Sequence, residues 1–166
     1  MADLSLASPA DNAKIAYFVR DFYDDPYNFV MACYPWGEPG PLEHDSGPDE
    51  WQRDHLLWIG EQVKFHNFDG SNPVAAIRSS VSSGHGIGKS VETGWIVNWI
   101  MATRPYAQGT VTANTFTQLQ TKTWASIRRW TKLCLTGHWF VVNSDRMYHP
   151  DHQESWFCSL QSSKEE

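Results

Sequence analysis

The run Ser82-Ser83-Gly84-His85-Gly86-Ile87-Gly88-Lys89-Ser90 has the residue types and spacing of a turn that wraps a phosphate. Its three glycines can take positive φ and bring several backbone N–H groups onto one anion, an approach that a Cβ would obstruct. Read as a Walker A loop, Gly84, His85, Gly86, Ile87, Gly88, Lys89 and Ser90 cradle the phosphates of ATP. Lys89 lies against the β/γ-phosphates, the Ser90 hydroxyl ligates Mg²⁺, and the following helix directs its positive dipole end at the charge. Ser83 stands where the pattern GxxxxGK[ST] has its first glycine, and is small enough for most turn conformations. The competing reading of these residues is a glycine-rich connection that binds nothing.

Such a loop must follow a buried strand and open a helix. Val74 to Val81, set off by Asn72-Pro73, reads as the strand. From Ser90 to Thr103 the apolar residues Val91, Ile96, Val97, Trp99, Ile100 and Met101 are too dense and too long for a strand, and Arg104-Pro105 ends them as a helix. Gly109 to Ala113 is the next strand, followed by a helix from about Thr115 to Leu135. Upstream, Ser8-Pro9-Ala10-Asp11 starts a helix that runs to about Tyr23 with Ile15, Phe18, Val19 and Phe22 on one face. An aromatic segment from Pro26 to Gly37 and a loop to Pro48 come next, and then a helix from Trp51 to about His66. The last strands lie around Trp139–Val142 and Trp156–Leu160. This order implies an α/β sheet that is at least partly parallel, with nucleotide at the carboxyl ends of its strands.

At 166 residues, with 41% hydrophobic residues and nine Trp, the chain suits one globular domain with its own core. A net charge of −6 excludes a surface that grips nucleic acid all over, so any DNA contact must be local. Cys33, Cys134 and Cys158 are odd in number and lack ligand spacing, as expected of reduced, buried thiols in a cytosolic protein. The N-terminus, with Asp3, has no continuous apolar stretch, and Asn98 breaks the most apolar helix, so neither a signal peptide nor a membrane span is expected.

The second strand ends in Thr112-Ala113-Asn114-Thr115, beside the loop in this arrangement, with Gln118 one turn into the next helix. These residues suit nucleotide sensing and helix capping alike. Together with the loop and the segments Pro35-Trp36-Gly37 and Gly47-Pro48-Asp49-Glu50-Trp51-Gln52, they resemble the N-terminal ATPase region of a tailed-bacteriophage terminase large subunit over essentially the whole chain. The resemblance implies a P-loop NTPase core of the RecA/helicase-like, additional-strand type: a mainly parallel sheet flanked by helices, incomplete at the C-terminus. It divides the chain into residues 1–70, a helical and loop region with the adenine-side segment Trp51-Gln52, and residues 71–166, a partial ATPase core. It implies that Gln52 reads the adenine edge, although the residue by itself suits an exposed first-turn position. Thr112, Asn114, Thr115 and Gln118 become a coupling motif. In that family the motor packages double-stranded DNA into a procapsid in the bacterial host cytosol, working with a portal, a small terminase subunit and other copies of itself.

The chain departs from the family in several places. His85 stands where many members carry an arginine. No apolar strand ends in the Asp-Glu that would hold Mg²⁺ and orient the attacking water, since Glu165-Glu166 follows Ser162-Ser163-Lys164. Nuclease carboxylates have no counterpart, so a truncated fragment or prophage remnant is expected, with an open parallel sheet edge that favours oligomerisation. Lys122, Arg128, Arg129 and Lys132 suit DNA phosphates, a neighbouring subunit's ATP, or simply a solvated helix face. His138, Asp145, His149, Asp151 and His152 form a loosely metal-like group without a compact ligand motif. Two other functions compete with an ATP-binding motor fragment that turns over little ATP: a small P-loop phosphotransferase, and a non-enzymatic module docking through Tyr27–Trp36.

Overall fold

The computed structural model describes residues 7–69, 72–82, 84, 86–113 and 115–162. Helix α1 (Pro9–Arg20) starts where the sequence predicts: the Ser8 hydroxyl accepts the Asp11 N–H at 3.2 Å and Pro9 occupies the first turn. It stops before Tyr23 because the N–H groups of Asp21, Phe22 and Tyr23 reach back only three residues, to Phe18, Val19 and Arg20, and tighten the chain into turns. Part of the aromatic segment is a helix that the reading above leaves unassigned, α2 (Pro26–Cys33), begun by Pro26 and by an Asp25 carboxylate that accepts the Asn28 N–H at 3.0 Å. Pro35 ends it by forcing Tyr34 into extended backbone. Helix α3 (Glu50–Phe65) opens with a capping box between Asp49 and Gln52, and α4 (Lys89–Thr103) follows directly on Gly88.

Strand β1 (Gln108–Ala113) leads into one helical run made of α5 (Phe116–Gln118), a π-helical stretch (Leu119–Trp124) and α6 (Ala125–Leu133). Three short strands complete the chain: β2 (Val141–Val142), β3 (Arg146–Tyr148) and β4 (Phe157–Ser162). They form a four-stranded sheet in the order β1-β4-β3-β2. Only β1 and β4 run parallel, in register from Gln108 opposite Phe157 to Ala113 opposite Ser162, while β3 is antiparallel to both β4 and β2. Among the described residues the sheet is therefore mixed, where a mainly parallel one is expected, because β2 and β3 form a tight hairpin instead of being joined by a crossover helix. Gly137–Trp139 is a 3₁₀ turn and shortens the expected Trp139–Val142 strand.

The expected strand Val74–Val81 is not formed. A strand needs a neighbour about 5 Å away to complete its ladder. A groove of about 960 Å³ separates Val74, Ala76 and Ile77 from Ala107 and Gln108 at the start of β1, with Ile96, Trp99 and Ile100 of α4 lining it. β1 consequently lies at an edge of the described sheet.

Side chains from both expected regions share one core cluster, which joins Val19, Phe29, Val30 and Leu56 to Trp95, Trp99 and Trp130. Its centre is aromatic. Trp95 and Trp130 meet edge to face with centroids 5.1 Å apart, Tyr34 approaches Trp130 at 5.3 Å, and Trp36 approaches Trp95 at 5.8 Å. Gly94 permits this approach of α4 and α6, since a Cβ there would stand 3.3 Å from the Trp130 Cβ. A second cluster, with Met101, Trp124, Ile127, Phe140, Met147 and Cys158, seats the helices on the sheet. All three cysteines are buried and free of disulfides. At the far end of α4 the Trp99 indole donates to the Phe22 carbonyl at 2.7 Å, and Arg104 donates to the Tyr23 carbonyl at 2.8 Å. No helix among the described residues is long and apolar enough to cross a membrane. Replacing Trp130 by Ala removes the ring on which α4, α6 and the Tyr34–Trp36 turn converge. It is expected to cost about 3–5 kcal/mol in urea unfolding, and a loss below about 1 kcal/mol would contradict this packing.

Candidate phosphate-binding loop

Two glycines shape the loop. Gly86 has φ +84° and Gly88 has φ +86°, the left-handed region in which a side chain is strained. Gly88 is the N-cap of α4, and its carbonyl accepts from the Val91 and Glu92 N–H groups at 3.0 Å each. The first two residues of α4 are Lys89 and Ser90, so the N-terminal end of the helix dipole stands at the loop. The Lys89 ammonium turns back into the loop and donates to the Gly84 carbonyl at 2.7 Å. Ser83 and His85 lie outside the described residues, so the loop is assigned from Gly84 and Gly86 to Ser90.

Gln52 is buried, with 3% of its surface exposed, and is not an exposed first-turn residue. Its side chain joins two elements: Oε1 accepts the Asp49 N–H at 2.9 Å and Nε2 donates to the Gly88 carbonyl at 3.2 Å. Neighbouring Trp51 is half-buried, and its indole N–H has no hydrogen-bond partner among the described residues.

A second buried link escapes the sequence reading. Glu92, one turn into α4, accepts from His55 Nδ1 of α3 at 2.8 Å, and His55 Nε2 meets the Ser79 hydroxyl at 2.5 Å. One signal of it is visible in the chain: Glu92 is a lone acid in a helix whose other buried residues are apolar or uncharged. Through His55 the segment before the loop, α3 and the loop helix are held together. Burial pushes the Glu92 carboxyl above its ordinary pKa, and the hydrogen bond and charge of His55 pull it back.

Thr112 at the end of β1 and Thr93 on α4 line a cleft of about 350 Å³, so the carboxyl end of the strand lies over the first turns of the loop helix. Thr93 donates its hydroxyl to the Lys89 carbonyl at 3.0 Å. Asn114 lies outside the described residues. Thr115 caps the next helix, its hydroxyl accepting the Gln118 N–H at 3.2 Å, and both residues are exposed. That helix is tied to the loop helix by Ser126, which donates to the Ser90 carbonyl at 2.9 Å. Among the basic residues, Lys122, Arg129 and Lys132 are exposed, whereas Arg128 is half-buried and donates to the Asn143 carbonyl at 2.7 Å. Arg128, Arg129 and Lys132 share a shallow hollow of about 320 Å³ with Pro41.

The metal-like group is dispersed. His138 pairs with Asn12 Oδ1 at 2.7 Å, His149 stacks on Trp156 at 4.7 Å, and no three His, Cys, Asp or Glu among the described residues are placed to hold an ion. Among the described residues of the loop, none lines the large groove beside β1. Comparison with known protein families, curated proteins and solved structures found no match.

The sign of the Glu92 effect follows from its burial. With a folded-state pKa above the ordinary 4.5, the folded chain holds this proton more tightly than the unfolded chain. Its stabilising effect is complete below 4.5 and disappears as pH rises through the folded-state value. Relative to Glu92→Gln, the wild-type chain should therefore lose stability with rising pH across the mildly acidic range and then level off. Urea unfolding of both chains over a pH series measures this, and parallel profiles would refute it.

Proposed function

We propose that the chain is an ATP-binding part of a viral DNA-packaging motor of the terminase large-subunit type. The observation that carries this reading is the loop itself: left-handed Gly86 and Gly88 open a fifteen-residue helix whose first side chain, Lys89, is turned into the loop. ATP phosphates take the place of the Gly84 carbonyl as a partner of the Lys89 ammonium, and the N–H groups at the start of α4 bind them. Mg²⁺ is held by the Ser90 hydroxyl together with the phosphates. Movement of Thr112, Thr115 and Gln118, at the junction of β1 and the next helix, passes the state of the nucleotide onward. Lys122, Arg129 and Lys132 offer cations to DNA phosphates or to a neighbouring copy's ATP, while Arg128 holds the Asn143 turn.

In the intact motor the subunit couples ATP hydrolysis to movement of double-stranded DNA into the procapsid, in the bacterial host cytosol, with portal, small terminase subunit and further copies as partners. No apolar run in this sequence ends in Asp-Glu. Binding of Mg²⁺-ATP without efficient turnover is the behaviour proposed for it.

Isothermal titration of the purified chain with Mg²⁺-ATP, beside Lys89→Ala, tests the proposal. The wild-type chain should bind, and the variant should bind roughly 10- to 100-fold more weakly, the size of one charge-assisted hydrogen bond. Equal affinity of the two chains would overturn it.

A further inference from the structure

We infer that Gln52 is a positioning residue of the phosphate-binding loop, acting on the peptide that follows Gly88 and not on the base of the nucleotide. The inference rests on the nucleotide-binding reading of the loop and adds to it a role that the resemblance does not assign, since that resemblance places Gln52 at the adenine edge.

Gln52 is pinned at both ends. Its carbonyl oxygen accepts the Asp49 N–H at the start of α3, its amide nitrogen donates to the Gly88 carbonyl, and the side chain is 3% exposed. A side chain so buried has little surface left to offer an incoming base. Contact with the loop is also close, because a Cβ at Gly88 would stand 2.7 Å from Gln52 Nε2.

What the tether controls follows from the planarity of the peptide. In a trans peptide the C=O and N–H point in opposite directions. Holding the Gly88 carbonyl toward Gln52 therefore aims the Lys89 N–H the other way. A carbonyl turned outward at this place would instead present its negative end to the phosphate. Gly88, at φ +86°, has no side chain to oppose such a flip. Among the described residues the other two donors to this carbonyl, the Val91 and Glu92 N–H groups, belong to α4 and move with it. Gln52 supplies the one bond among the three that fixes the peptide against a different element, α3.

An effect exerted through the loop backbone must be blind to the base. The affinities of Mg²⁺-ATP, Mg²⁺-GTP and Mg²⁺-tripolyphosphate are therefore measured by titration calorimetry on the wild-type chain and on two variants. Gln52→Glu keeps the acceptor for the Asp49 N–H, and hence the cap of α3, but cannot donate to Gly88. Gln52→Met removes the donor without adding a charge. Circular dichroism verifies that each variant folds, and a repeat at high salt screens the added carboxylate.

The expected result is a loss of about tenfold for all three ligands in both variants, with the unfolding temperature of Gln52→Glu close to wild type. A residue that only capped α3 would leave Gln52→Glu at wild-type affinity, and that result overturns the inference. A loss confined to ATP, with GTP and tripolyphosphate unchanged, overturns it in favour of base reading. Failure of the wild-type chain to bind any of the three overturns the nucleotide reading itself, and the inference with it.

Discussion

The position of the loop depends on one contact, the packing of α4 against α6 at Gly94 and Trp130. Helix α4 is the element on which the rest converges: its buried residues include Trp95, Asn98, Trp99 and Met101, and it faces α1, α2 and α6 as well as the sheet. Because Gly94 has no side chain, the Trp130 ring reaches the helix surface, and Tyr34 meets it edge to face while Trp36 packs on it at a tilt. Aromatic packing of this kind is stiff. It holds the axis of α4, and the start of α4 follows directly on the glycine loop at Gly88.

Around that start lies a set of buried polar groups, which fold only if their partners are in place. Gln52 satisfies the Gly88 carbonyl and the Asp49 N–H, and Glu92 finds His55. Asn98 donates to the Gly94 carbonyl at 2.8 Å, inside the same helix and beside the aromatic centre. The Gln52–Gly88 and His55–Glu92 bonds are directional, so they specify a relative placement of α3 and α4 that apolar packing alone would leave free to slide. The loop between them inherits that placement.

The sheet has a different character. β1 pairs with β4 along its whole length on one side and borders the apolar groove on the other, which is also lined by residues of the segment 74–81, a segment without strand structure. An edge of this kind is a ready template for another strand. The segment is tied to α3 by the His55–Ser79 hydrogen bond, whose two residues also line the groove.

The chain by itself determined the elements whose signals are local. Ser8 and Pro9 start α1, Asp49 and Gln52 start α3, Arg104-Pro105 closes α4, and Gly86 and Gly88 mark a left-handed turn that opens α4, because capping groups and φ preferences act within a few residues. Asp25-Pro26 was an equally local signal for α2, masked by the aromatic run that follows it. Tertiary structure alone decided the rest. Val74–Val81 has the residues of a strand and is not one, since a strand exists only where a neighbour completes its hydrogen bonds. Arg146–Tyr148 has hardly any pattern of its own and becomes a strand because β4 supplies that neighbour. Gln52, thirty-six residues from Gly88, and His55, thirty-seven from Glu92, became partners only when α3 packed beside α4. Hydrogen bonds at such separation leave no periodic trace in a sequence, for they are set by how helices meet and not by the order of residues along either one.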